Sequence, residues 1–272
     1  GTSAFFGSDP YKVFEEVSVP EARAINDDRG ASTAAKRALL DYFLSSAALL
    51  QRSTQESLPP RVMLFHTAHT KDKHRILFNT VSNLVKEIRR KWIRKDPEFI
   101  DAMRKRWETS FAASFTERYP NDSFPSFNNI IPFLDSELRT FNTKSEILLI
   151  NSDSDIKIDF DSDPSLRAIF VGGNKLSRGI TLEGLLTSYY TRNTLAGDTL
   201  LQMGRWFGYR GDFVDLIRVY TTTGLYSDFS DLNQFEIELR EEIAYLKKLG
   251  KKPEELPPSL SIHPGVKKFT AA

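Results

Sequence analysis

Residues 167–191 read RAIFVGGNKLSRGITLEGLLTSYYT, which is two short apolar runs joined by a loop that begins with paired glycines. Short runs rich in branched and aromatic residues are typical of buried strands. Three more such runs lie at 61–66, 146–150 and 215–222, and helical stretches lie between the last of the five strands. Strands that alternate with helices predict an α/β fold, here a mostly parallel sheet flanked by helices.

The chain around these strands divides into a central domain and two flanking stretches. Residues 1–30 have no sustained period and are predicted to be a linker or the end of a preceding domain. Residues 31–250 are predicted to form the α/β domain, with a helical insertion at about 95–145. The proline-rich residues 251–272 are predicted to be an exit into another domain or a tail.

Composition excludes several classes of function. The 272 residues include no cysteine, which rules out disulfides, thiolate metal sites and cysteine nucleophiles. No apolar run approaches the roughly 18 residues that a membrane helix needs, and the first residues lack a signal pattern. A cytoplasmic protein with no membrane partner is therefore expected. The net charge of +1 is compatible with both nucleic acid and protein partners. The positions of the charges, rather than their sum, therefore indicate the class of partner.

Two segments combine glycine with groups suited to phosphate. The first, 172–183, follows a strand, and open α/β sheets bind ligands just beyond the carboxyl ends of their strands. The second, 202–210, reads QMGRWFGYR, and its two arginines can both reach phosphate oxygens. Either segment alone is compatible with an ordinary turn or a solvated helix. Together, in this order and separated by one strand, they are far more specific.

The order of these segments resembles motifs V and VI of the second RecA-like domain in superfamily-two helicases. The string at 202–210, with Phe5-Phe6-Gly7 and Leu64-Phe-His-Thr67, is similar to the Z1 domain. That family is associated with bacterial restriction and anti-phage systems, where it follows an N-terminal helicase-like DEAD domain, and it was once labelled a putative endonuclease. The resemblance is strongest over 167–222 and extends more weakly over 5–94.

The resemblance implies a division of labour between two domains. ATP lies between two RecA-like domains, of which the first binds the phosphates and Mg²⁺ and the second supplies arginine fingers. The sequence contains no Gly-x-x-x-x-Gly-Lys-Ser/Thr motif, so this chain alone is expected to be inactive. The implied partners are the DEAD-type ATPase domain, the backbone of duplex DNA, and a nuclease or recognition subunit.

Residue by residue, Arg205 and Arg210 match the motif VI arginines and are the expected catalytic residues. The expected nucleotide contacts are Gly173, Ser177, Arg178, Gly179, Thr181, Gln202 and Gly204. Three departures stand out. Four residues rather than two separate Arg205 from Arg210, which leaves open which one is the finger. Thr181 stands where many helicases have Asp, and the acidic loop 151–166 replaces a helix.

Other polar residues are candidates for coupling or DNA binding. His66 ends a strand and is a candidate for coupling the nucleotide to DNA, and no metal site is predicted from it and its neighbours His69 and His74. The DNA-binding candidates are Arg89, Arg90, Lys91, Arg94, Lys95, Lys175 and Arg192. The alternative for the run at 86–95 is a solvated helix face whose tryptophans belong to the core. Tyr190 is expected to be a strand residue or to face DNA.

Two rival functions stay open at this point. An endonuclease would use the acidic cluster Asp153, Asp155, Asp159, Asp161 and Asp163. That cluster lacks the glycine and terminal glutamate of a calcium loop, which favours a solvated loop. The second rival is a non-catalytic DNA-binding or assembly domain with a degenerate motor fold. The sequence does not distinguish translocation from strand separation.

Overall fold

The computed structural model describes residues 12–27, 32–53, 58–68, 70–151, 158–172, 182–192, 200 and 213–250. Its strands are β1 (Phe14–Glu16), β2 (Arg61–His66), β3 (Ile147–Ile150), β4 (Arg167–Gly172), β5 (Leu185–Tyr190) and β6 (Arg218–Thr221). They form one parallel sheet in the order β1-β6-β5-β2-β4-β3. The predicted fold class, a RecA-like α/β sheet flanked by helices, is confirmed.

The helices cover both faces of this sheet. They are α1 (Val19–Ala24), α2 (Thr33–Arg52), α3 (Lys71–Ile93), α4 (Pro97–Arg106), α5 (Ala112–Arg118), α6 (Phe127–Thr140) and α7 (Thr223–Lys248). A π-helical turn, Trp107–Phe111, joins α4 to α5, and a single helical turn, Val214–Leu216, precedes β6. Among the described residues, no helix combines the length and apolar character needed to cross a bilayer.

The two faces of the sheet hold two apolar cores. Every residue of β2 is buried, and its side chains alternate between the cores, as the pleat requires. Met63 and Phe65 join the core under α2, α3 and α6, whereas Val62 and Leu64 join the core under the start of α7. Burial on both faces explains why this strand reads as a continuous apolar run.

Local capping explains where the long helices begin. The Ser32 hydroxyl accepts a hydrogen bond from the Ala35 amide at 3.1 Å and so caps the start of α2. The Asp96 carboxylate caps α4 through the Phe99 amide at 3.1 Å, with Pro97 at the first helical position. These bonds satisfy amides that have no partner within the helix.

The structure corrects two predicted boundaries. Residues 12–27 are not a linker, because β1 pairs with β6 and α1 packs its Ala22 into the core. The sequence pattern predicts a last helix over about 232–249, but this helix begins at Thr223, and the Thr222 hydroxyl caps it by accepting from the Leu225 amide at 3.3 Å. The earlier start of the last helix buries Leu225 and Phe229 at helical spacing with Leu232 in the same core.

The helical insertion between α3 and β3 belongs to the main core. Trp107, Phe111 and Phe127 are buried in the same apolar cluster as Phe43 of α2. Trp92 and Trp107 are core residues whose indole groups donate to the Asp135 carboxylate at 2.9 Å and the Pro125 carbonyl at 2.8 Å. The insertion therefore packs as a layer of the domain.

Candidate functional site

The carboxyl ends of β4, β2, β5 and β6 meet at one edge of the sheet. The segment that resembles motif V follows β4, and the segment that resembles motif VI lies between β5 and β6. Because β2 lies between β4 and β5, its last residue is next to the carboxyl ends of the two strands that precede these segments. This is the edge at which open α/β sheets bind ligands.

His66, the last residue of β2, joins the ends of three strands. Its Nδ1 lies 2.5 Å from the carbonyl oxygen of Gly172, and its Nε2 lies 2.9 Å from Nη1 of Arg192. The ring is fully buried and stacks on Tyr190 with centroids 5.4 Å apart. A carbonyl only accepts and a guanidinium only donates, so these two contacts require a neutral ring with its proton on Nδ1.

His74 supplies the matched comparison for a test of this tautomer. Its Nε2 lies 2.9 Å from the Ala68 carbonyl, so that nitrogen must donate. Nitrogen chemical shifts of the two rings at neutral pH should therefore place the proton on Nδ1 in His66 and on Nε2 in His74. A protonated Nε2 in His66 would contradict the contact with Arg192.

Gly172 is required by a close approach of two strands. Gly172 pairs with Ile150 at the end of β3, and a Cβ added to it would overlap the Ile150 carbonyl oxygen. A larger residue would push β4 away from β3 at the point where His66 bonds to it. The first glycine of the predicted pair therefore has a packing role.

Arg192 does not occupy an exposed DNA-binding position. Its relative exposure is 4%, and desolvation by burial lowers the pKa of its guanidinium, partly offset by Tyr190. Tyr190 is itself fully buried in β5, so the prediction that either residue faces DNA is wrong for this arrangement. Both residues instead form the interior of the sheet edge around His66.

A cavity of about 500 Å³ opens beside this edge. It is lined by Val19, Ala22, Arg23, Asn26, Asp27, Thr67, Ala68, Thr70, Lys73, Thr191 and Thr222. The Thr67 hydroxyl donates to Oδ1 of Asn26 at 2.5 Å, which fixes α1 as one wall. Arg23 and Lys73 contribute two positive charges to the lining, and Asp27 contributes one negative charge. This excess of positive charge, with the amino end of α3 close by, favours an anionic ligand. The sequence pattern missed this wall because the segment before residue 30 was interpreted as a linker.

The basic run at the end of α3 lies far from this edge. α3 has 23 residues and is about 34 Å long. Its last turn therefore lies near the amino ends of the strands, at the sheet edge opposite the cavity. Arg89 donates to the carbonyls of Leu138 at 2.6 Å and Arg139 at 2.8 Å, which caps α6. Nζ of Lys91 lies 3.8 Å from Oε1 of Glu87, one helical turn earlier, and forms an ion pair with it. The exposed basic residues of the run at 86–95 are Lys86, Arg90, Arg94 and Lys95.

The different placement of Arg89 and Arg94 gives a testable contrast. Arg89→Ala should lower the free energy of unfolding by about 1–2 kcal/mol, because two helix-end carbonyls lose their donor. Arg94→Ala should leave stability unchanged within about 0.5 kcal/mol. If DNA lies along this face, Arg94→Ala alone should also reduce the salt slope of DNA binding by about one.

Urea denaturation and DNA titrations at several salt concentrations measure both effects, with the exposed Lys105→Ala as the control for loss of charge. A reduced slope in Arg89→Ala together with unchanged stability would contradict the assignment of Arg89 to the cap of α6.

The acidic loop forms a turn in its described part. The Asp159 carboxylate accepts from the amides of Asp161 at 3.0 Å and Ser162 at 3.3 Å. Hydrogen bonds from Ser162 and from these amides lower the pKa of Asp159. Within the described ranges, no cluster of three or more histidine, aspartate or glutamate side chains could hold a metal ion. Asp153 and Asp155 lie outside these ranges.

The remaining predicted site residues also lie outside the part of the chain that the structure describes. They are Gly173, Lys175, Ser177, Arg178, Gly179, Thr181, Gln202, Gly204, Arg205 and Arg210, together with His69. The described residues show where the two segments that carry them begin and end. Those anchor points are Gly172, Leu182, Arg192 and Phe213.

Comparison with known proteins gives one match. A family model described as the Z1 domain matches residues 35–266, which covers all the described strands except β1. No curated protein and no solved structure matches the chain.

Proposed function

The chain belongs to the Z1 domain family, and from that premise we propose that it is the second motor domain of an ATP-driven DNA translocase. It acts beside a DEAD-type ATPase domain in a restriction or anti-phage system. ATP and Mg²⁺ bind mainly to the partner domain, and this chain supplies arginine fingers from the segment at 202–210. The reaction is hydrolysis of the ATP γ-phosphate, coupled to movement along DNA.

One observation carries this proposal. His66 bonds to the last residue of β4 and to Arg192 just after β5, so a single buried ring links the ends of the two strands that precede the motif-like segments in the chain. In this proposal, a ligand-dependent shift of either segment is transmitted to the other through the hydrogen bonds of His66. This supports a coupling role for His66, in agreement with its position at the carboxyl edge.

The chemistry of the two arginines fits this role. A transferring phosphoryl group spreads negative charge over its oxygens, and a planar guanidinium can donate to two of them at once. The sequence contains no Gly-x-x-x-x-Gly-Lys-Ser/Thr motif, so the main phosphate-binding loop belongs to the partner domain and the two arginines of this chain contribute chiefly to the transition state. Arg205 and Arg210 are proposed for that contribution.

The cavity beside the sheet edge supports contact with a phosphate backbone. Arg23, Lys73 and Thr70 are among the residues that line it. Cations and hydroxyl donors of this kind bind phosphates without reading sequence. DNA contact at this edge, close to His66, would connect the nucleic acid to the segments that reach the nucleotide.

DNA-stimulated ATP hydrolysis by the longer protein, which joins this chain to its ATPase domain, tests the proposal. The motor function requires that hydrolysis depends on Arg205 or Arg210. Mg²⁺-dependent DNA cleavage by this chain without ATP, abolished by changing Asp153 and Asp155, would instead support the endonuclease alternative.

A further inference from the structure

The last helix, α7, carries leucine at every seventh position, at Leu225, Leu232, Leu239 and Leu246. Ile243 lies four residues after one of these leucines and three residues before the next, which completes the spacing of a heptad. Side chains at this spacing lie along one side of a helix, and the pattern is typical of coiled coils. The four leucines extend over about 32 Å of α7.

The two halves of this apolar stripe have different surroundings. Leu225 and Leu232 are buried in the core on one face of the sheet. Leu239 and Leu246 are only half-buried, and Ile243 is 50% exposed, although the helix continues through all three. Within the described part of the chain, none of these three side chains belongs to either apolar core. The domain therefore covers the first half of the stripe and leaves the second half open to a partner.

The residue types of the exposed half favour a second copy of the same helix as that partner. With the leucines at position d of the heptad, Ile243 falls at position a. Isoleucine at a with leucine at d favours parallel coiled coils of two strands. The preceding a position, 236, is a glutamate in the sequence, so the apolar seam of the exposed half begins at Leu239. Two copies of one helix meet in this way about a two-fold axis.

The charges beside the seam fit the same arrangement. Glu242 falls at position g and Lys247 at position e of the next heptad, and both residues are exposed. In a parallel pair, the g residue of one helix lies beside the e residue of the following heptad in the other helix. Each Glu242 then meets a lysine of the other copy. In an antiparallel pair, g residues face g residues, and Glu242 loses this partner.

We propose that the exposed half of α7 is a dimerisation helix, which forms a parallel two-stranded coiled coil with α7 of a second copy of this chain. Leu239, Ile243 and Leu246 form the seam, and Glu242 pairs with the partner's Lys247. This inference goes beyond the proposed motor function and does not depend on it. The seam is shorter than two heptads, so the expected dimer is weak, with a Kd on the order of 100 µM.

Sedimentation equilibrium of the full 272-residue chain, from about 10 µM to about 1 mM, measures the self-association. Wild type should pass from monomer to dimer over this range. Ile243→Glu should stay monomeric, because it puts a charge into the seam of both helices. The matched control is Tyr245→Glu, which makes the same kind of change at a residue that is 62% exposed and lies off the stripe. This control should dimerise as wild type does.

A pair of charge substitutions tests the predicted register. Glu242→Lys should weaken the dimer by about threefold or more, because lysine then lies beside lysine. Adding Lys247→Glu to the same chain exchanges the two charges and should restore the affinity of wild type. All four substituted residues, Glu242, Ile243, Tyr245 and Lys247, are exposed. Their variants should therefore keep the melting temperature of the wild-type monomer within about 2 °C.

Cross-linking tests the orientation, because the chain contains no cysteine of its own. Leu239→Cys and Leu246→Cys are prepared separately and oxidised mildly above the Kd of the dimer. In a parallel pair each cysteine faces its own copy, so both variants should form disulfide-linked dimers. In an antiparallel pair at most one of these positions can face itself. Tyr245→Cys measures random collision and should cross-link at least about fivefold less.

Three outcomes would overturn the proposal. One is a wild-type chain that stays monomeric at about 1 mM, and another is a dimer that persists unchanged in Ile243→Glu. Cross-linking at only one of positions 239 and 246 would exclude the parallel pair. If the wild-type chain stays monomeric but Ile243→Glu releases a neighbouring domain of the longer protein, the occupant is a helix of that protein rather than a second copy.

Discussion

Replacement of Arg106 by methionine is expected to lower the free energy of unfolding by about 3–5 kcal/mol. Asp41 is fully buried in α2, and its carboxylate accepts from Nε of Arg106 at 2.8 Å and from Nη2 at 2.6 Å. The Tyr220 hydroxyl donates to the same carboxylate at 2.5 Å. Arg106 also pairs with Glu15 of β1. Removing the cation leaves a buried charge without its main partner.

The shifted pKa values of Arg106 and Tyr220 also follow from burial and from the charged neighbours in this cluster. Burial alone would lower the pKa of Arg106, but Asp41, Tyr220 and Glu15 raise it, so the guanidinium stays charged. Desolvation and the neighbouring Asp41 raise the pKa of Tyr220 well above its ordinary value, so its hydroxyl remains a donor. At neutral pH a charged guanidinium and a neutral phenol therefore lie beside Asp41 and Glu15.

Urea denaturation of the variants measures the effect. The control is Arg139→Met, which removes an exposed pair with Asp135 at 2.8 Å and should cost only about 0.3–0.5 kcal/mol. Asp41→Asn combined with Arg106→Met should recover part of the loss, because no buried carboxylate then lacks a cation. A loss below about 1 kcal/mol in Arg106→Met would show that the insertion is not anchored through this pair.

The sheet could be predicted from the sequence because its central strands carry local signals. β2, β4 and β5 are buried on both faces, and their sequences are short apolar runs. Ser32 and Asp96 are residue types that commonly cap helices, and each precedes the helix that it caps. β1 gives no such signal, since three residues are too few to show a period. Its place at the sheet edge follows from pairing with β6, some 200 residues away.

The candidate site was predictable in position but not in its bonds. His66 was identified as a coupling residue from its place at a strand end. Its partners Gly172 and Arg192 are 106 and 126 residues away, and no local pattern reveals such contacts. The same holds for Arg218 and Ser110, which are 108 residues apart. Buried arginines look like surface charges until the fold brings their partners together.

The basic run of α3 shows that visible charges can have several roles. Its charges are visible in the sequence and suggest nucleic acid, but Arg89 caps α6 and Lys91 pairs with Glu87. The alternative interpretation, in which the tryptophans belong to the core, is confirmed because Trp92 and Trp107 are buried. Charge density alone does not separate a DNA-binding surface from helix capping.

Loss of the finger arginine is expected to slow ATP hydrolysis by about 10³-fold or more. The reason is that a finger contacts the γ-phosphoryl group chiefly in the transition state, so its removal lowers kcat more than it raises KM. Four residues separate Arg205 from Arg210, so one of them is expected to be the finger and the other to support the segment. The variant with the larger kcat loss identifies the finger.

The supporting arginine should show a smaller loss. A charge-assisted hydrogen bond that orients the segment contributes to both binding and catalysis, so kcat and KM should change together. Lys105→Ala, which removes an exposed cation from α4, serves as the control and should leave both parameters unchanged. DNA affinity of the variants is determined in parallel, so that loss of stimulation by DNA is not mistaken for loss of catalysis.

The most direct measurement is therefore DNA-stimulated ATP hydrolysis by the longer protein, compared between wild type, Arg205→Ala and Arg210→Ala. The account predicts a collapse of kcat by about 10³-fold or more in at least one variant, with folding and DNA affinity retained. Unchanged hydrolysis in both variants would contradict a shared ATP site and leave the chain as a DNA-binding or nuclease module.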